Sequence, residues 1–323
     1  MENTLAINKK ALKTPIGSPR SKSTSKDKSH LEYWQRFLDK GAALTDKMKE
    51  KLKSKVRKGV PDSLRGRIWI LISELEVTKA EYPPSFYGQL LHSSQDSPAA
   101  HSIALDLDRT FPDHELFRKG GFGQATLANV LTAYSYFDPE LGYCQGMGCI
   151  VAVFLMHMNE EYAFWLLVTL NNKYKMRDFF MPDTPGLYRN MYKINALFKH
   201  FMPGLWNHLI SLSVFPSLFA PAWIMTLFVN VVPLDTSLRI LDIFLLEGPK
   251  IIFRVFLAIF KTKKKEIKKL GIESVFDFVR ALPEQIQTAT LISRAIGISL
   301  SRKSLRHLNH EYEHSPNSEF INW

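Results

Sequence analysis

The sequence predicts an almost entirely helical protein, and three observations carry that expectation. Apolar residues recur at helical spacing in segment after segment. Few segments alternate polar and apolar residues over strand lengths, and no Asn-Gly or Asp-Gly hairpin signal stands between such segments. Hydrophobic residues make up 46% and aromatic residues 12% of the chain, enough for a large core, while 23% charge is ordinary for a globular protein. The length of 323 residues suits about two domain-sized units or one long helical domain with two lobes.

Residues 1–30 carry seven Lys or Arg against Glu2 and Asp27, contain no Phe, Trp or Tyr, and are rich in Ser and Thr, so they read as a disordered basic tail. A helical extension is expected over 31–56. Leu31, Trp34 and Leu38 share one helical face, and Met48, Leu52 and Val56 share another, with Gly59 ahead of Val60-Pro61 as a stop. Tyr82-Pro83-Pro84-Ser85 and His92 to Pro98 read as loops. Gly120-Gly121-Phe122-Gly123 precedes a helix whose face is Leu127, Val130, Leu131 and Tyr134, ended by Asp138-Pro139. Asn159 followed by Glu160 and Glu161 is an N-cap with acidic residues in the first turn. Leu187, Met191, Ile194, Leu197 and Phe201 mark a further helix.

Leu209 to Leu234 holds no Asp, Glu, Lys or Arg over 26 residues, longer than a membrane span requires. Pro216, Pro221, Pro233, three serines and Asn230 interrupt it, so two buried core helices joined by a turn near Pro216 to Pro221 are expected instead. Lys261, Lys263, Lys264, Lys265, Lys268 and Lys269 cluster around Glu266; a solvated face is the plain reading, and anionic lipid or an acidic partner surface the alternative.

The formal net charge is +11, part of it in the tail, where it suits peripheral contact with an anionic membrane as well as simple solvation. No base-reading motif accompanies it, so nucleic acid is not an expected partner. Cys144 and Cys149 form no Cys-x-x-Cys pair, and no apolar run follows the first charges, which points to a reducing, cytoplasmic setting without a secretory signal.

Two motifs carry chemistry. Arg109 closes Ile103-x-x-Asp106-x-x-Arg109-Thr110-Phe111-Pro112, and Gln145 lies in Gly142-Tyr143-Cys144-Gln145-Gly146-Met147. Phosphoryl transfer spreads negative charge over the transferred oxygens and needs a water held in line, so a guanidinium and a carboxamide together form a plausible catalytic set. No Gly-x-x-x-x-Gly-Lys-Ser/Thr string is present to hold a nucleotide, so the two groups would act on nucleotide bound by another protein. Asp106 can meet Arg109 across one turn, either as its orienting partner or as a structural anchor.

Arg57-x-Gly59-Val60-Pro61-x-x-x-Arg65-Gly66-x-x-Trp69, the Arg109 motif and the Gln145 motif come in the order and spacing of the TBC domain of Rab GTPase-activating proteins, which the chain resembles from about Arg57 to Ser301. Ala222-Trp223-x-x-Thr226-Leu227-Phe228, Pro233 and the segment Asp242 to Val255 extend the likeness. The resemblance implies an all-α, two-lobed, V-shaped domain whose groove receives a GTP-bound Rab. It implies that Arg109 is an arginine finger and that Gln145 replaces the water-orienting glutamine of the GTPase. Asp106 and Tyr143 would support the fingers, and Arg65 and Trp69 would brace the fold. GTP and Mg2+ would belong to the partner, with no cofactor in this chain, and the consequence would be control of vesicle traffic at endomembranes. Gly148 stands where many relatives carry Asn, which bears on the positioning of the Gln145 turn. A non-catalytic Rab-binding scaffold is the competing reading, disfavoured because both fingers are present.

His310-Glu311-Tyr312-Glu313-His314 satisfies the zinc-protease string His-Glu-x-x-His. Only nine residues follow it, with Glu319 as the sole acidic third ligand, so metal catalysis is not expected. The stretch Arg302 to Tyr312 also resembles the helix that follows the domain in the branch of the family bearing a coiled coil, within a C-terminal segment 302–323. No histidine partner is readable near Cys144, so it is not read as a nucleophile.

Overall fold

The computed structural model describes residues 25–39, 44–93 and 97–314, and among them every regular element is helical. The first helix, α1 (Ser25–Asp39), starts before Leu31, so the six residues 25–30 placed in the tail belong to it. Lysine- and serine-rich composition hid the start of this helix. The rest of the tail, residues 1–24, and the end of the C-terminal segment, 315–323, lie outside the described residues. Trp34 is fully buried and donates its Nε1 hydrogen to His30 at 3.2 Å. Helix α2 (Asp46–Lys58) is capped by Thr45, whose hydroxyl accepts from Met48 N at 3.3 Å. Gly59, at φ 126°, then turns the chain where an L side chain would be strained.

The motif that follows binds the N-terminal helices to a distant one. Arg65 and Trp69 lie on α3 (Arg65–Ser73) and reach Asp242 on α14 (Leu234–Glu247). Trp69 Nε1 donates to Asp242 Oδ1 at 2.7 Å and Arg65 Nε at 3.3 Å, while Arg57 donates twice to Glu247 at 2.6 Å. Asp242 is completely buried, and burial pushes its carboxyl up to about 6 although Arg65 favours the charged form. Arg65 and Trp69 therefore brace the fold, as their motif suggests.

Helices α4 (Leu75–Lys79), α5 (Phe86–Ser93), α6 (Ala100–Leu107), α7 (Phe122–Phe137), α8 (Met147–Leu155) and α9 (Glu160–Asn172) follow. Helix α7 is the hub: it packs against α5, α6, α8 and α9 and buries Leu127, Val130, Leu131 and Tyr134, the face its periodicity predicts. Asn159 caps α9 as expected, its Oδ1 accepting from Tyr162 N at 3.0 Å. Past α10 (Arg177–Phe180), Arg177 returns to clamp Asp138 at the end of α7 through two bonds of 2.7 and 2.8 Å.

Helix α11 (Pro185–Phe201) buries Met191, Ile194 and Leu197, and α12 (Pro203–Ser211) comes next. The long uncharged run departs from expectation here. A 3-10 turn at Pro216–Leu218 lies where the turn was expected, but the following helix, α13 (Ala220–Met225), has only six residues. Pro221 is accommodated in its first turn, and beyond it Leu227 and Phe228 take positive φ (48° and 66°), which ends the helix. The run is buried as a folded corner, and no helix among the described residues is long and apolar enough to cross a membrane.

Helix α15 (Lys250–Thr262), buried without a break from Ile251 to Phe260, packs between α14 and α18 (Thr288–Ile296). The lysine cluster closes α15 and forms α16 (Lys264–Ile267), pinned by buried Ile267; Lys261, Lys265, Lys268 and Lys269 are exposed and Lys263 pairs with Glu266 at 2.8 Å. Helix α17 (Ile272–Ala281) buries Val275 and Val279. The last helix, α19 (Arg302–His314), carries the two histidines of the zinc-like string, whose rings stack on each other at 4.0 Å while Glu311 pairs with His307. Among the described residues no group of three His, Cys, Asp or Glu side chains is arranged to hold a metal ion.

Candidate functional site

Arg109 sits two residues past the end of α6, on a turn held by bonds from Arg109 N to Asp106 O (3.3 Å) and Thr110 N to Leu107 O (3.2 Å). The Thr110 hydroxyl adds a third tie, donating to Asp106 O at 2.7 Å. Phe111 takes φ 48°, unfavourable for a bulky L residue, and its burial against Phe117 keeps the chain there. The turn thus resists collapse into a longer helix and projects Arg109 away from the core.

Asp106 is buried and both its oxygens are engaged. Oδ1 accepts from Arg109 Nη2, and Oδ2 accepts from the Tyr143 hydroxyl. One carboxylate therefore joins the two motifs. Burial, followed by this bond to Asp106, pushes the Tyr143 phenol far above its ordinary value, so it stays a hydrogen-bond donor at neutral pH. Tyr143→Phe removes a hydrogen bond to a charged acceptor and is expected to lower unfolding stability by about 1.5–3 kcal/mol, measured by urea titration, while leaving Arg109 and Gln145 in place.

Gln145 is exposed at the tip of a tight turn. Gly142 (φ 63°) and Gly146 (φ 104°) provide the left-handed backbone at its two ends, and buried Met147 anchors it, bonding through its N–H to Cys144 O at 3.2 Å. A Cβ at Gly148 would lie 3.4 Å from Tyr143 Oη and 3.5 Å from Thr110 Oγ1, ordinary contact distances, so the position would admit a side chain's first carbon beside the two hydroxyls that bond Asp106. Cys144 and Cys149 flank the turn as thiols, each raised to about 11 by burial, which leaves little thiolate for nucleophilic chemistry.

Arg109 and Gln145 line one cavity of about 170 Å3, together with Asp106 and Thr110. The rest of its lining includes residues from later in the chain: Trp223 and Thr226 from the α13 corner, Phe276 and Arg280 from α17. The guanidinium retains about 40% of its side-chain exposure beside its nearly buried partner carboxylate. Sequence reading brought together Asp106, Arg109, Tyr143 and Gln145 but missed Phe276 and Arg280. The signal for that wall was present, since Ile272, Phe276 and Arg280 recur one turn apart along α17, on the face adjoining buried Val275 and Val279.

The fold and this cavity define a helical domain that presents an arginine and a glutamine to one cavity. Residues 62–268 match the model of the Rab-GTPase-TBC domain. The chain is 33% identical to the human ecotropic viral integration site 5 protein homolog, over 95% of this chain and 40% of that protein. It is 32% identical to the Rab GTPase-activating protein tbc-11 of Caenorhabditis elegans, over 88% of this chain and 31% of that protein. The crystal structure of the Chlamydomonas flagellar RabGAP TBC domain is similar in fold, with a TM-score of 0.73 and 30% identity, covering 83% of this chain and 91% of that one. The chain belongs to the Rab-GTPase-TBC domain family, and it spans less than half the length of the two full-length relatives named here.

Proposed function

We propose that this chain accelerates GTP hydrolysis on a Rab-type small GTPase in its GTP-bound form by lending it Arg109 and Gln145. The observation that carries the reading is the cavity shared by these two side chains, one rigid turn supporting each. Nucleotide and Mg2+ arrive with the GTPase. Arg109 meets the negative charge that grows on the transferred phosphoryl group, and its planar fork can serve two oxygens at once. Gln145 holds the attacking water in line by donating and accepting through its carboxamide. Asp106 is a positioning residue, since its bond to Arg109 Nη2 leaves the rest of the fork to face the cavity. Switching off the GTPase from the cytoplasmic side of an endomembrane would stop a step in vesicle traffic.

Phosphate release from a panel of GTP-loaded Rab-family GTPases tests the reading, with at least one member expected to respond strongly. On that member Gln145→Ala is expected to cost about 10²–10³ in the stimulated rate, the usual loss when one preorganised transition-state hydrogen-bonding group is removed. Undiminished stimulation by Gln145→Ala would remove the carboxamide from the mechanism.

A further inference from the structure

We infer that the exposed stripe of α17, Ile272, Phe276 and Arg280, is the surface against which the GTPase docks, Phe276 seating an apolar side chain and Arg280 pairing with an adjacent carboxylate. This inference rests on the proposed function and adds the residues that set affinity. Helix α17 packs into the core through Val275 and Val279, both fully buried, while the adjoining face of Ile272, Phe276 and Arg280 stays exposed. On that face Ile272 remains 57% and Phe276 43% exposed, unusual for large apolar side chains on a helix already packed. Phe276 is nevertheless fixed in place, its ring 5.0 Å from that of Phe219, so little side-chain entropy remains to be lost on contact.

Continuity with the finger cavity identifies the occupant. Phe276 and Arg280 lie one turn apart on the same face, and both line the cavity that holds Arg109 and Gln145, with exposed Leu218 beside them. A partner whose nucleotide reaches Arg109 must bring the protein surface bordering that nucleotide against this wall. Arg280 is exposed and forms no salt bridge among the described residues, so its guanidinium presents a positive charge on this wall. The wall thus selects an apolar side chain flanked by an acidic group.

The test measures both affinity for GTPases loaded with a slowly hydrolysed GTP analogue and single-turnover phosphate release at rising chain concentration. Phe276→Ser and Arg280→Glu are each expected to weaken binding and raise the half-saturating concentration at least about tenfold, with the maximal rate retained at saturation. Thermal unfolding at the wild-type midpoint confirms that the variants fold. Unchanged affinity and half-saturation in both variants would overturn the α17 inference while leaving the proposed function standing. A wild-type chain that binds in an α17-dependent way without accelerating hydrolysis would support the docking surface and overturn the catalytic reading, and one that binds no GTPase in the panel would overturn both.

Discussion

Arg109→Ala is expected to abolish nearly all stimulation of GTP hydrolysis, by about 10³–10⁵, equivalent to roughly 4–7 kcal/mol of barrier. The size of the loss follows from where the proposal puts the guanidinium: its charge would meet charge that exists only in the transition state, so the loss would fall on the rate at saturation more than on half-saturation. Arg109→Lys is expected to recover little of it, because an ammonium keeps the charge but not the planar fork that can hold Asp106 and a phosphoryl oxygen together. Stability should change little, since the side chain is partly exposed and its turn is held by backbone and Thr110 bonds. Stopped-flow phosphate release together with urea unfolding separates these outcomes. A large fall in stability with proportionate loss of activity would indicate a structural arginine instead.

Asp242→Ala is expected to be the most damaging single change to the fold, about 3–5 kcal/mol, because it leaves the nearly buried Arg65 and the Trp69 indole without the carboxylate they share. Asp242→Asn should cost less, since it keeps an acceptor for Trp69 and the same volume. The two also differ in pH dependence. The native carboxyl titrates near 6 against about 3.9 in an unfolded chain. Between about pH 4 and 6 the native state therefore holds a proton that the unfolded state has released, and this group's contribution to stability falls as pH rises through that window. Relative to Asp242→Asn, the wild type should lose stability across it, as measured by urea midpoints from pH 4 to 7. A parallel pH profile in the two proteins would contradict the raised carboxyl.

The local elements were legible where the determinants are local. The face Leu127, Val130, Leu131 and Tyr134 gave α7, Asn159 its capping role, and Gly59 a helix end, because spacing and caps act within one or two turns. Composition misled at Ser25–His30, where lysine and serine concealed a helix that then packs through Trp34. The uncharged run was read as buried, but its break into a 3-10 turn, a six-residue helix and two positive-φ residues depends on the corner it packs into.

For the candidate site, order and spacing of motifs picked out Arg109 and Gln145, and helical geometry picked out Asp106 beside Arg109. That Asp106 would also accept from Tyr143 required the α7–α8 turn to fold back onto α6, a tertiary fact. Phe276 and Arg280 were illegible as site residues for the same reason: an exposed stripe is visible in a helical pattern, but not the cavity it faces.

Convergence of Arg109 and Gln145 on nucleotide held by another protein is the central proposal. It is tested most directly with a responsive Rab-type GTPase whose own water-orienting glutamine has been replaced by alanine. The wild-type chain is predicted to accelerate phosphate release from that GTPase, because Gln145 supplies the missing carboxamide, whereas Gln145→Ala is predicted to lose most of that acceleration. Acceleration that vanishes with the GTPase's own glutamine, or that is undiminished in Gln145→Ala, would contradict the claim.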